Sequence, residues 1–375
     1  MKKIGIFGGT FSPVHNEHVS LARAGINELG LDALYVLPTN VSPHKKSTGA
    51  SATDRLNMLK LAFSLDEKVI VSDYEITRGE VSYSYITAEH FNQKYGVKPY
   101  MFVGADMLKD FKTWKFPERI LNSATLICAK REGENVDISK EIEYIESAFG
   151  AQVLTLNFGG KACSSTKIRL FASLSLSLDG MVDKSVEEYI VKNNLYRGDS
   201  ITEFLISALP EKRRIHTANV CLTALKWAKE LGLSEEKVKI SALLHDVAKY
   251  LNPSDYKDFV LESDVPKPVV HAFLGAYVAE KVLKITDTDI INAIKYHTSG
   301  RPNMSDLEKL IFVADMVEEG RNYQGVDYLR EIYNKDFNAS FIECLKEETI
   351  HLKNKKAEIY RLTLDAYEYY VKGDK

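Results

Sequence analysis

At 375 residues the chain exceeds the ~100–200 of an ordinary domain, so two domains are expected. Hydrophobic residues make up 45% and charged residues 27%, the balance of a soluble globular protein, and a net charge of −3 leaves no footprint for a nucleic-acid partner. Cys128, Cys163, Cys221 and Cys344 stand far apart with no C-x-x-C pair, which excludes a zinc knuckle or a disulfide framework and fits the reduced cytoplasm.

In chain order, KIGIF (3–7) is a short apolar run ending in glycines and reads as a buried strand; it is too short for a signal peptide. Residues 16–30 follow at helical spacing. ALYVLP (33–38) is a second strand and RLNMLKLAF (55–63) a helix. VIVSD (69–73), a helix near 84–95, PYMFVG (99–104), ATLICAK (124–130) and QVLTL (152–156) continue the alternation. Strands alternating with helices predict βαβ units in a Rossmann-like parallel sheet, an α/β domain. Such sheets bind ligands beyond the carboxyl ends of their strands, so the loops GGTFSPVH, PTNVSPHKK, VGADM and the stretch into CSSTKIR carry the interest. From about residue 201 the strands vanish. ITEFLISALP, HTANVCLTALKWAKEL, KVKISALLHDVAKYL, VVHAFLGAYVAEKVL, DIINAIKYHTSG and DLEKLIFVADMVEEG all read as amphipathic helices, and an all-α domain is expected. The break falls in NNLYRGDSIT (193–202), giving domains 1–197 and 198–375. No segment approaches the ~20 apolar residues that span a bilayer, so no membrane role is expected.

The loop GGTFSPVHNEH (8–18) is neither of the familiar glycine-rich phosphate motifs. Gly8 and Gly9 let backbone approach a ligand closely. His15 and His18, three apart at a helix start, can donate hydrogen bonds to phosphate oxygens where free N–H groups already attract anions. In CSSTKIR (163–169), Ser164, Ser165 and Thr166 can cap a helix or hold phosphate oxygens. Lys167 and Arg169 sit in a first turn that disfavours cations unless an anion offsets the dipole. PHKK (43–46) places His44, Lys45 and Lys46 after the second strand.

Together, GGTFSPVHNEH and SSTKIR resemble the two signatures of the HxxH branch of the nucleotidylyltransferase superfamily. The PHK loop, GAD (104–106), Trp114 in DFKTW and AKREG (129–133) are similar to nicotinate-nucleotide adenylyltransferases in particular. The resemblance covers about residues 1–197. It implies transfer of AMP from ATP, with Mg²⁺, to nicotinate mononucleotide. His15 and His18 would stabilise the triphosphate in the transition state, and Thr10 and Phe11 would line the nucleotide through backbone. Lys45 would meet a phosphate, Gly104 and Asp106 the adenosine, and Ser165, Thr166 and Arg169 the ATP phosphates. Trp114 would be a platform for the pyridine ring, core packing being its alternative. Three letters depart from the family pattern: Ser12 for Asp or Asn, Glu17 for Gly, and Ile86 for a polar residue in SYSYIT (82–87). Glu17 is expected to point away from the phosphates.

Five of the nine histidines lie beyond residue 200. His216, His245, His271 and His297, with Asp246 and Asp315, are polar groups on mostly apolar helices and need partners or a metal. Four imidazoles and two carboxylates suit a divalent ion or a pair of them, iron or manganese rather than calcium; zinc is compatible but finds no thiolate. The strings LLHDVAKYL, NAIKYHTSGRPNMSDLEKLIFVAD and EEGR resemble HD-domain phosphohydrolases, in the bacterial subfamily that cleaves diadenosine tetraphosphate symmetrically into two ADP. That resemblance implies His216, His245, Asp246, His271, His297 and Asp315 as ligands of a di-iron or Fe/Mn centre, and a dinucleoside polyphosphate as substrate. Lys249, four residues after His245, would hold a phosphate. Arg213, Arg301 and Arg321 are further candidates for the phosphate chain, and His351 is expected to be exposed. Other acceptors for the front half, and a rear domain that senses nucleotides without turnover, are the competing readings. A homo-oligomer is compatible with all of them.

Overall fold

A computed structural model describes residues 2–41, 49–131, 137–159 and 163–373. The chain divides into two compact units, one of Met1–Ala172 with Ser177–Arg197 and one of Gly198–Lys375 with Ser173–Leu176.

In the first unit β1 (Ile4–Gly9), α1 (Asn16–Leu29), β2 (Ala33–Pro38), α2 (Ala52–Ala62) and β3 (Val69–Val71) come first. Then follow α3 (Tyr74–Thr77), α4 (Ser84–Tyr95), β4 (Tyr100–Gly104), α5 (Ala105–Lys109), α6 (Pro117–Ser123), β5 (Thr125–Arg131), α7 (Ser139–Phe149), β6 (Val153–Phe158), α8 (Ser165–Ser173) and α9 (Lys184–Lys192). The strands form one parallel sheet in the order β3-β2-β1-β4-β5-β6. Its strands are apolar runs because helices cover both faces. Ile6, Met101, Val103 and Leu126 pack with Phe91, Phe111 and Ile120 on one side. β3 is shorter than the sequence suggests, because Asp73 already caps the short α3. The order reverses between β1 and β4, the point beyond whose carboxyl ends sheets of this kind hold their ligands. β1 ends in Gly8–Gly9 and β4 in Gly104, so both glycine-bearing ends border it. α1 lies close on the sheet: a Cβ on Gly25 would fall 2.4 Å from the Phe102 ring.

The second unit is helical: α10 (Ser200–Ala208), α11 (Glu211–Ala228), α12 (Glu235–Leu244), α13 (Val270–Tyr277), α14 (Thr288–Tyr296), α15 (Asp306–Val317), α16 (Val326–Tyr333), α17 (Phe337–Asn354) and α18 (Arg361–Tyr367). Its core includes Val220, Ala224, Ala242, Leu244, Ile294, Leu310 and Val313, all buried. Two helices depart from the pattern reading. α11 begins at Glu211 after Pro210, so His216 stands in its second turn rather than at its start. α12 ends at Leu244, because bonds from the N–H of Val247 to Leu244 O (3.1 Å) and of Lys249 to Asp246 O (3.0 Å) tighten the chain into three-residue turns. At three residues per turn Lys249 eclipses Asp246 rather than following His245. Among the described residues no helix is long and apolar enough to cross a membrane.

Gly25→Ala should destabilise the first unit by about 1–3 kcal/mol, because either Phe102 or α1 must move. Urea denaturation followed by fluorescence measures this; an unchanged midpoint would mean that the helix–sheet contact is not tight.

Candidate active sites

The first site grows from the end of β1. A Cβ on Gly9 would sit 3.0 Å from the Phe11 ring, whereas one on Gly8 would meet nothing within 4 Å, so the space beside Gly8 is open. Phe11 is buried at a positive φ of 48°, and Ser12–Pro13 is cis. A non-glycine residue held there is uncommon and marks a constrained loop. Its ring packs edge-on against Phe7 (5.2 Å between centroids) and His18 (4.9 Å).

His15 is the N-cap residue of α1 and is buried. Its ring stacks on that of His18 at 3.7 Å, and its backbone N–H donates to Nδ1 of His18 (3.2 Å). With Nδ1 accepting, a neutral His18 carries its proton on Nε2 and can donate it outward. The amides of Thr10 and Phe11 donate to no acceptor among the described residues. Three carbonyls of the same loop are engaged. Arg55 Nη1 donates to Thr10 O (2.8 Å), Arg169 Nη1 to Ser12 O (2.8 Å) and Ser165 Oγ to Pro13 O (2.9 Å). Burial lowers the pKa of both guanidinium groups from the usual arginine value. Two cations thus stand behind a loop whose amides are free to face an anion.

The signature at α8 divides its labour. Ser164 Oγ accepts from the N–H of Lys167 (3.1 Å) and caps the helix, while Thr166 Oγ1 accepts from Arg169 Nη2 (3.1 Å). Ser165 and Arg169, expected on phosphate, instead hold the loop carbonyls. Glu17 Oε2 accepts from the N–H of Cys163 (3.1 Å), so its side chain is tied to the segment before α8. Ser12 Oγ bonds the Tyr196 hydroxyl at 3.1 Å; burial pushes that phenol up to about 12. Gly104 caps α5, and a Cβ there would meet Asp106 Oδ1 at 2.6 Å. Trp114 is half-buried against Phe111 (5.4 Å), so packing accounts for much of its ring. Near it Tyr83, Tyr85 and Phe116 form a partly exposed aromatic group, with Lys115 4.4 Å over Tyr83 and Arg119 4.3 Å over Tyr85. Ile86 is half-buried in the first turn of α4. Lys45 and the rest of PHKK lie outside the described residues. Sequence reasoning missed Arg55 and Tyr196, which carry no motif.

The second site gathers all six expected groups. Asp246 is the centre, with its two oxygens facing opposite ways. Oδ1 lies 3.0 Å from His271 Nε2 and 3.6 Å from His297 Nε2. Oδ2 lies 3.7 Å from His216 Nε2 and 3.6 Å from His245 Nε2. Asp315 Oδ1 closes the second group, 3.1 Å from His216 Nε2 and 3.8 Å from His245 Nε2. The outer nitrogens are occupied. His245 Nδ1 donates to Ala242 O (2.7 Å), His297 Nδ1 to Ile294 O (2.8 Å) and His216 Nδ1 to Glu318 Oε1 (3.1 Å). Each of those rings therefore turns the Nε2 lone pair inward, as metal-binding imidazoles do.

Burial lowers the pKa of His245 to about 3 and also lowers that of His271, which favours the neutral, ligating form. Burial alone would raise Asp246, but the imidazoles of His245, His271 and His297 outweigh it and hold the carboxyl well below its usual range. For Asp315, likewise, His216 and Arg321 overcome burial and lower the pKa. Three overlapping sets of ligand atoms could each hold a cation: His216, His245 and Asp246; His245, His297 and Asp315; and Asp246, His271 and His297. This donor set would suit divalent cations, with Asp246 offering an oxygen to two of the three sets.

Around the centre, Lys249 Nζ reaches Asp246 Oδ1 (3.5 Å) and His271 Nε2 (3.1 Å). Arg213 Nη1 donates to Asp246 Oδ2 (2.7 Å), and the Arg321 guanidinium donates to both the carboxylate and the backbone carbonyl of Asp315. Arg301 is elsewhere, paired twice with buried Glu308 (2.8 and 2.7 Å). His351 is exposed on α17. Two neighbours lie inside the quoted strings but were given no role there. Thr298 Oγ1 lies 3.0 Å from His297 Nε2. Glu318 is 2% exposed and takes both His216 Nδ1–H and the N–H of Gly320 (2.5 Å).

Residues 6–171 match the cytidylyltransferase-like family and residues 213–320 the HD domain. The chain is 36% identical over 172 residues to a symmetrical bis(5'-nucleosyl)-tetraphosphatase of Bacillus subtilis, covering 44% of this chain and 92% of that protein. It is 35% identical over 201 residues to a protein named probable nicotinate-nucleotide adenylyltransferase in Clostridium botulinum, covering 52% of this chain and 99% of the relative. A Mycoplasma genitalium protein named probable nicotinate-nucleotide adenylyltransferase/Ap4A hydrolase is 26% identical over 362 residues, 92% of this chain and 97% of its own.

Glu318→Ala should weaken divalent-metal binding about 10–100-fold, because His216 loses the acceptor that orients it; Glu318→Gln, which can still accept, should lose less. Competition with a chromophoric chelator measures both, and equal affinities in the two variants would refute the orienting role.

Proposed function

Because the chain belongs to the nicotinate-nucleotide adenylyltransferases over its first half and to the HD-domain symmetrical bis(5'-nucleosyl)-tetraphosphatases over its second, we propose that it is a bifunctional enzyme of adenine nucleotides. The first unit transfers AMP from ATP to nicotinate mononucleotide, giving nicotinate adenine dinucleotide and pyrophosphate. The second hydrolyses a dinucleoside tetraphosphate, diadenosine tetraphosphate above all, to two nucleoside diphosphates.

The paired His15 and His18 at the start of α1 support the transfer reading. The acceptor's phosphate oxygen attacks the α-phosphorus of ATP, and the bond to the β-phosphate oxygen breaks with pyrophosphate as leaving group. The acceptor is already an anion, so no base need take a proton. The chain must instead receive charge that spreads over the phosphoryl oxygens. His18 Nε2–H, the amides of Thr10 and Phe11, and the positive end of α1 do this. Arg55, Arg169 and Ser165 keep the loop in place. Mg²⁺ enters with ATP and offsets triphosphate charge.

The two-faced Asp246 supports the hydrolase reading. A pair of divalent cations there, iron or iron with manganese on the chemistry of the donors, would offset phosphate charge and acidify water. His216, His245 and Asp315 on one side and His271 and His297 on the other would hold them. Lys249, half-exposed beside Asp246, is placed to bind a phosphate oxygen, and Arg213 and Arg321 add positive charge.

His18→Ala should lower dinucleotide synthesis by about 10²-fold or more and leave tetraphosphate hydrolysis intact. Asp246→Ala should lose bound metal and hydrolysis together and keep adenylyl transfer. Chromatographic product assays with elemental analysis read all three quantities. Full metal occupancy in Asp246→Ala, or normal synthesis in His18→Ala, would refute the corresponding assignment.

A further inference from the structure

Arg55 is a buried arginine on α2, 5% exposed, that forms no ion pair among the described residues. Its guanidinium spans two strand ends. Nη1 donates to Thr10 O (2.8 Å) in the loop after β1, and Nη2 donates to Thr39 O (2.6 Å) and Asn40 O (3.2 Å) after β2. Asn40 carries the connection further. Its N–H donates to Ser82 Oγ (2.9 Å), its side-chain amide donates to Glu80 O (3.2 Å), and Val41 bridges Val81. A continuous chain of bonds therefore runs from the loop bearing Gly8–Phe11 to the segment that opens α4.

We infer that Arg55 is a positioning residue for adenylyl transfer, holding the loop after β1 at a fixed distance from the loop after β2 and the segment around Ser82, so that the amides of Thr10 and Phe11 stay aimed at the reacting phosphates. The inference rests on the transferase reading of the first unit. Arginine is required because a planar fork reaches carbonyls on both loops at once; a lysine ammonium offers its donors from a single point. Arg55 touches no reacting atom. Its loss should appear in kcat, because misplacement of about 1 Å between reacting groups can cost on the order of 10²-fold in rate.

The test is steady-state kinetics of Arg55→Lys in the full chain, with ATP and nicotinate mononucleotide varied in turn, beside melting curves of both proteins. The expected result is a kcat for dinucleotide synthesis lowered tenfold or more on that order of effect, with both KM values within about threefold of wild type and unchanged melting of the first unit. A merely structural role predicts the opposite: early melting, and normal kcat per folded molecule. Either that pattern or a rise in KM at unchanged kcat overturns the inference. Where Arg55→Lys does not fold, Ser82→Ala carries the test. It removes the acceptor of Asn40 N–H at the far end of the same chain and should lower kcat several-fold; a kcat equal to wild type overturns the inference. A wild-type chain that forms no dinucleotide overturns the transferase reading itself and the inference with it, whereas an active wild type beside an equally active variant overturns the inference alone.

Discussion

A phosphate chain concentrates negative charge, and a protein can receive it only with cations or with N–H groups already turned towards it. Both units are built around that constraint. In the first unit the carbonyls of Thr10, Ser12 and Pro13 are drawn to Arg55, Arg169 and Ser165, from helices far away in sequence. With its oxygens held on that side, the loop keeps the amides of Thr10 and Phe11 without a protein acceptor. The buried phenyl of Phe11 and the stacked His15–His18 pair lock the same turn. The open space beside Gly8 follows from this arrangement as much as from the glycine.

The second unit meets the constraint with its own buried anion. Asp246 lies among four imidazoles, and its two oxygens divide them into two sets. Such a carboxylate is costly to bury unless positive charge surrounds it. Arg213 and Lys249 lie against it, and His216, His245 and His297 turn their Nε2 lone pairs inward because carbonyls and Glu318 take their Nδ1 protons. The last turn of α15 serves two ligands at once: Glu318 orients His216, and three residues on Arg321 braces Asp315.

Much of this was legible in the sequence because the informative groups break a local pattern. His245, Asp246 and Asp315 interrupt apolar helices, and Gly8–Gly9 with His15 and His18 follow an apolar strand. Arg55 breaks nothing. In RLNMLKLAF it reads as the polar face of a helix, and its partners lie 45 residues before it and 15 and 16 before it in the chain. Tyr196 is equally mute, since its partner lies 184 residues away. Lys249 shows a subtler limit. Helical spacing links it to His245, but the tightened turn after Leu244 sets it over Asp246 instead. Periodicity reports which residues share a face only while the period holds.

The contrast between the two sites follows from the nucleophile each must use. A phosphate monoester is already ionised near neutral pH, so the first unit needs no base. Its task is alignment, which is why loop carbonyls, a constrained Phe11 and a spanning guanidinium dominate it. Water is a poor nucleophile until a proton is drawn from it. The second unit accordingly gathers imidazoles around carboxylates held ionised, the donor set that binds cations able to acidify water. One chain can thus carry two phosphate chemistries without sharing a motif, because the reacting oxygen differs even where the phosphate does not.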